Sequence, residues 1–211
     1  MIKLIKAIAF IGILFIVGCS DKYFADGDNQ PIDQSGVLGV STMDYLKSKN
    51  EYDTLSRLIT LTGLEEAVNA KGNTFLAPRD YSIHNYFKLI FPDPTKQPET
   101  LDAIPVEEMA KITQILKNYI IPNEEIVSSK LSKTYSYVTT LGGTKARFNI
   151  VQGDYLGNVN LGAKFIIFSL NLGTSEQFTF YMPVDVATSD LRSTNGVLHL
   201  LNSNTHIFGF N

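Results

Sequence analysis

Apolar positions along the chain change their spacing twice. Ala7 to Val17 are apolar apart from Gly12, and they follow the basic residues Lys3 and Lys6. From Ser41 the apolar residues fall at helical intervals. Tyr45, Leu46, Tyr52, Leu55, Leu58 and Ile59 predict helix. Ser41 stands three residues ahead of Asp44 as a capping box, and Gly63 is the expected stop. Leu64 to Asn69 predicts a further short helix. Thr74 to Ala77 predicts a strand ended by Pro78, which has no N–H for a ladder. Asp80 or Ser82 is then placed to cap a helix through Ile83, Tyr86, Phe87 and Ile90. Pro92, Pro94, Pro98 and Pro105 mark a loop. Val106, Met109, Ile112, Thr113 and Leu116 share one face of a helix running to Lys117, with Glu107 and Glu108 at its positive end. Beyond residue 133 the period falls to about two. Thr134–Thr140, Lys145–Val151, Lys164–Leu170, Gln177–Met182, Val197–Leu201 and His206–Phe210 are predicted strands, with a hairpin at Gly142-Gly143. Helices first and strands later give an α+β domain.

The apolar stretch at the start is shorter than the roughly 20 residues of a spanning helix. It ends Phe15-Ile16-Val17-Gly18-Cys19, and Cys19 is the one cysteine among 211 residues. This order resembles a bacterial lipoprotein signal peptide with its lipobox. The resemblance implies removal of residues 1–18, acylation of Cys19, and a protein tied by lipid to a Gram-negative outer membrane, facing the cell surface. Residues 19–40 are polar and rich in turn formers, and they read as a lipidated flexible tether. Residues 41–211 form the folded domain.

Charge adds exclusions. Without Lys3 and Lys6 the chain carries 16 basic and 21 acidic residues, a formal charge of −5. No basic stripe marks a nucleic-acid partner. With Cys19 committed to lipid, no intramolecular disulfide can form, and no Cys/His cluster has zinc spacing. No G-x-S-x-G elbow or Walker spacing is present, and the pairs Glu65-Glu66, Glu107-Glu108 and Glu124-Glu125 do not share helical faces. Neither a metal, a cofactor nor a catalytic residue is expected.

Three segments together resemble the fasciclin (FAS1) domain. Asn73-Thr74-Phe75-Leu76-Ala77-Pro78-Arg79-Asp80 is similar to its first signature. Ile115-Leu116-Lys117-Asn118-Tyr119-Ile120-Ile121-Pro122 is similar to its central segment. Ser189 to Leu201, with Asp190, Asn195-Gly196 and His199, resembles its last. The order covers about residues 41–203. Asn118-Tyr119 replaces the usual Tyr-His, Arg79 a threonine, and Asn202 an acidic residue. The resemblance implies short helices packed on a wedge of two β-sheets, and non-catalytic adhesion or binding to an extracellular protein or glycan. An accessory subunit of an outer-membrane glycan-uptake assembly is the alternative role, and a glycan-acting enzyme a third.

The motif residues have mechanical readings. Asn195-Gly196 suits a two-residue turn with both central residues at positive φ. Asp190 is expected to accept backbone N–H groups near that turn. His199 is expected as a partly buried histidine bonded to a backbone group, on the strand face opposite Leu198 and Leu200. Tyr135 with Tyr137, and Phe178 with Phe180, share faces. They are expected in a sheet core, with a glycan-stacking platform as the other outcome.

Overall fold

The computed structural model describes residues 36–154, 156, 159, 162–173, 175, 177–202, 204 and 206–210. Cys19, the leader and most of the expected tether lie outside the described residues. Contacts of the described chain begin before Ser41. Val37 bridges Arg192, and the Leu38 N–H donates to the Arg192 carbonyl at 2.8 Å. The end of the segment read as tether thus lies beside the sheet.

Helix α1 covers Thr42–Lys47, and the Ser41 hydroxyl accepts the Asp44 N–H, as the capping pattern predicts. Helix α2 covers Asp53–Leu61. It ends at Gly63 (φ 70°), where the Leu64 N–H reaches the Ile59 carbonyl and the Gly63 N–H the Thr60 carbonyl. This is a Schellman stop, in which glycine takes the left-handed position without a Cβ penalty. Helix α3 is Glu65–Val68, α4 is Asp80–Ile90 and α5 is Val106–Lys117. On α5 the buried residues are Ile112 and Leu116, whereas Val106, placed on that face from its spacing, is 86% exposed at the helix start.

The strands are β1 Asn73–Ala77, β2 Ile120–Ile121, β3 Ser136–Thr139, β4 Lys145–Gln152, β5 Lys164–Asn171, β6 Tyr181–Arg192 and β7 Gly196–Leu201. They pair in the order β2-β1-β7-β6-β5-β4-β3. β1 runs parallel to β7 and antiparallel to β2. β6 changes partner midway. Its residues up to Asp185 pair with β5, and from Val186 onward they pair with β7, with register breaks at Val186/Thr188 and Thr188/Leu191. Such breaks bend a strand and re-aim its side chains. The two sheets of the expected wedge are therefore one run of strands hinged on β6.

Two expected strands differ from the fold. The segment 177–182 contributes only its last two residues to β6, which continues through Pro183 to Arg192. Pro183 and the irregular registers hide the alternation there. His206–Phe210 forms no strand. Gly209 and Phe210 take positive φ, and the segment turns back so that Phe208 and Phe210 enter the core. Phe208 packs edge-on to Tyr86 of α4 at 5.4 Å, and Phe210 meets Phe168 of β5 at 5.8 Å. The core runs continuously from α1 and α2 beneath β1 and β7 to Phe148 and Phe168.

Candidate binding face

Most motif residues prove to be internal joints. Asn195 is the centre of one. Its Oδ1 accepts the Thr42 N–H at 2.9 Å, and its Nδ2 donates to the Val68 carbonyl at 3.3 Å. One amide thus ties the start of α1 and the end of α3 to the entry of β7. Gly196 follows, but neither Asn195 nor Gly196 has positive φ. The expected turn geometry is corrected. Glycine is required because a Cβ at Gly196 would stand 2.2 Å from the Asn73 carbonyl oxygen, across the parallel β1–β7 pair.

Asp190 sits in the β6 irregularity at φ 61°. Its carboxylate accepts the Ser128 N–H at 2.9 Å and the Ser128 hydroxyl, and so anchors the 128–130 loop and not the Asn195-Gly196 turn. Its N–H donates to Nδ1 of His199 at 3.2 Å, while His199 Nε2 donates to the Ile126 carbonyl at 3.0 Å. These partners fix the neutral, Nε2–H imidazole. Burial is the main force holding its pKa below the ordinary histidine value. His199 is fully buried, as are Leu198 and Leu200, because β7 is covered on both faces.

Thr74 donates to the Glu124 carbonyl at 2.7 Å and accepts the Ile126 N–H at 2.8 Å. Phe75 and Ala77 are core residues, and Pro78 separates β1 from α4. Asp80 does not cap its own helix. Its two carboxylate oxygens accept the Thr54 and Leu55 N–H groups at the start of α2. Tyr119 is fully buried. Its hydroxyl accepts the Gly209 N–H at 3.1 Å and donates to His206 Nε2 at 2.7 Å. A tyrosine–histidine pair exists in this fold, though His206 comes from the C-terminal segment.

The exposed chemistry lies elsewhere, on the outer side of β3 to β6. Ala146, Phe148 and Ile150 of β4 and Ile166, Phe168 and Leu170 of β5 fill the inner side. Strand alternation therefore turns Arg147, Tyr137 and Tyr181 outward. Tyr137 is directly opposite Arg147 across β3–β4. The Arg147 guanidinium carbon lies 3.7 Å from the Tyr135 ring centre and 4.3 Å from that of Tyr181. Tyr137 meets Tyr135 and Tyr181 at 6.3 and 6.1 Å. Tyr135 and Tyr137 are 45% and 63% exposed, and Phe178 and Phe180 are also exposed. The core expectation for these four rings is thus corrected: among the described residues no layer covers Tyr135 and Tyr137 on the outer side, the inner side is already filled, and Phe178 and Phe180 stand exposed in the segment before β6. Val151 and Phe165 extend the exposed apolar area along β4 and β5. Arg147 and Tyr181 were not singled out in the sequence. The signal was an arginine at the middle of an alternating strand whose partners carry outward aromatics.

Among the described residues no three His, Cys, Asp or Glu side chains gather as a metal site, and no helix is long and apolar enough to cross a membrane. A model of the fasciclin domain matches residues 50–204. No curated protein matches the chain. Among solved structures, the FAS1 domain pair of the insect cell adhesion molecule Fasciclin I is similar at a TM-score of 0.50 and 18% identity, covering 76% of this chain and 45% of that one. This chain thus spans less than half of that solved chain, and at such low identity the likeness concerns the fold. With the family model matching well over half of its length, the chain belongs to the fasciclin family.

Proposed function

We propose that the chain is a non-catalytic surface lipoprotein that binds an extracellular protein or glycan through the outer face of β3–β6. One observation carries this reading. Tyr135, Tyr137, Val151 and Phe165 are exposed large apolar residues on that face. Contiguous exposed aromatic surface marks a binding region more often than it marks solvent-facing filler. Fasciclin membership supports the reading, as does the adhesion role named for the insect relative. Lipid attachment at Cys19 in a Gram-negative outer membrane supplies the location, and it rests on the basic start, apolar run and cysteine of the sequence.

The test applies labelled full-length chain to arrays of immobilised glycans and secreted proteins. The comparison is a variant carrying Tyr135→Ser, Tyr137→Ser and Phe165→Ser. Selective retention that the triple variant loses, at an unchanged melting temperature, supports the proposal. Retention on neither array, or retention indifferent to the triple variant, overturns it.

A further inference from the structure

The geometry points to Arg147 as an oxyanion receptor, set among tyrosines, for an acidic glycan. This inference rests on the reading of the β3–β6 face as the binding surface, and it names the ligand class that the face takes.

The first observation is how Arg147 is held. Its guanidinium carbon lies over both the Tyr135 and the Tyr181 ring, so two cation–π contacts restrain it. Such contacts stabilise a cation without using its N–H donors. Among the described residues Arg147 has no hydrogen-bond or carboxylate partner, and its Nε is buried without one. The terminal nitrogens remain for a ligand. A planar guanidinium matches the two oxygens of a carboxylate or sulfate, and a pre-ordered one loses little freedom on binding.

The second observation is what surrounds it. Lys145 lies two residues before Arg147 on the same outward side of β4. It lines two shallow clefts of about 300 and 320 Å³. Beside Tyr137 and Lys145 these clefts offer short hydroxyl and amide side chains, among them Thr139, Thr144, Asn171 and Thr179. Hydroxyl-rich clefts beside exposed tyrosine rings suit sugar, with rings against the C–H faces and short polar groups toward the hydroxyls. A protein anchor would instead seek a deep, desolvated pocket. The third observation is charge. Arg147, with no carboxylate partner among the described residues, stands as a cation on a chain whose post-leader charge is −5, so its complement is an anionic ligand.

The experiment is calorimetric titration of the detergent-solubilised full chain with tetragalacturonate, its methyl ester, a chondroitin sulfate tetrasaccharide and hexaglutamate. Either acidic sugar is expected to bind at least about tenfold more tightly than the ester. Preference between the two distinguishes carboxylate from sulfate as the recognised group. Arg147→Met should remove that preference, and Arg147→Lys should recover only part of it, since an ammonium cannot pair bidentately. Tyr137→Ala should weaken acidic sugar and ester alike. Equal binding of hexaglutamate, or acidic-sugar binding unchanged in Arg147→Met, overturns the inference, as does binding of neither acidic sugar. Retention on protein or neutral-glycan arrays that depends on the aromatic face would still leave the proposed function standing. Loss of face-dependent retention altogether would remove both.

Discussion

The Tyr119 hydroxyl donates to Nε2 of His206 across 2.7 Å of buried space, joining the end of α5 to a segment 87 residues away. The same oxygen accepts the Gly209 N–H. Burial pushes the His206 pKa down to about 4 from 6.5, and it raises that of Tyr119. A neutral imidazole in the folded state has a pH consequence. Above pH 6.5 both states hold it uncharged, so its contribution to stability is fully present. Between pH 6.5 and about 4 the unfolded chain takes up the proton and the folded chain does not. Stability therefore falls as pH falls, at about 1.4 kcal/mol per unit for this one group, and by roughly 3 kcal/mol across the window. Urea unfolding at pH 7.5, 6 and 5 should show this decline, steepened by the buried His199, whose pKa is also lowered. His206→Gln should flatten the curve. An identical pH slope in that variant would contradict the pairing.

Asp80 stabilises a helix that it does not belong to. Both its oxygens take up N–H groups at the first turn of α2, at 2.8 and 3.0 Å. Such N–H groups have no partner within their own helix. Asp80→Ala should lower stability by about 1–2 kcal/mol, the range for a lost cap. Amide exchange should accelerate at Thr54 and Leu55 more than in α4. Equal acceleration in both helices would mean that Asp80 acts through its own helix.

Legibility of the fold followed the range of the interactions involved. Helix α1, the Gly63 stop and strands β4, β5 and β7 follow local rules of capping, conformation and alternation, and the sequence pattern found them. β6 breaks its own alternation with Pro183 and two register shifts, so most of it was missed. The tail mimics a strand by alternating Phe208 and Phe210, yet Gly209 and Phe210 at positive φ fold it inward. Asp190 and Asp80 carried the right identity and the wrong partner, because hydrogen bonds spanning 62 and 26 positions leave no periodic trace. The candidate face was half legible. Tyr135 and Tyr137 were seen to share a side, but which side is buried depends on Phe148 and Phe168 claiming the core first.

Cys19 should anchor the chain by lipid. About 0.8 kcal/mol per buried CH₂ makes one acyl chain marginal and several chains stable. Cys19→Ser should shift the protein from the membrane fraction to the soluble one, or leave it as an uncleaved precursor about 18 residues longer, the length of the expected leader. Mass spectrometry of the membrane fraction should find the N-terminus at an acylated Cys19. Mature Cys19→Ser protein that still sediments with membrane would count against the anchor.

Gly196 and Gly143 separate two reasons for needing glycine. Gly143 has φ 82°, and no atom lies within 4 Å of where a side-chain methyl would stand, so its constraint is conformational. Gly143→Ala should cost about 1–2 kcal/mol, the penalty for an L-residue in the left-handed region. Gly196 has no positive φ, but its Cβ would lie 2.2 Å from a strand carbonyl that both β1 and β7 hold in place. A backbone oxygen in a paired ladder cannot swing aside as a side chain can, so Gly196→Ala must part the parallel β1–β7 pair or unfold it. Thermal unfolding of the two alanine variants should place Gly196→Ala well below Gly143→Ala. The reverse order would show that the approach of Asn73 is looser than 2.2 Å implies, and that strand conformation is the stronger constraint.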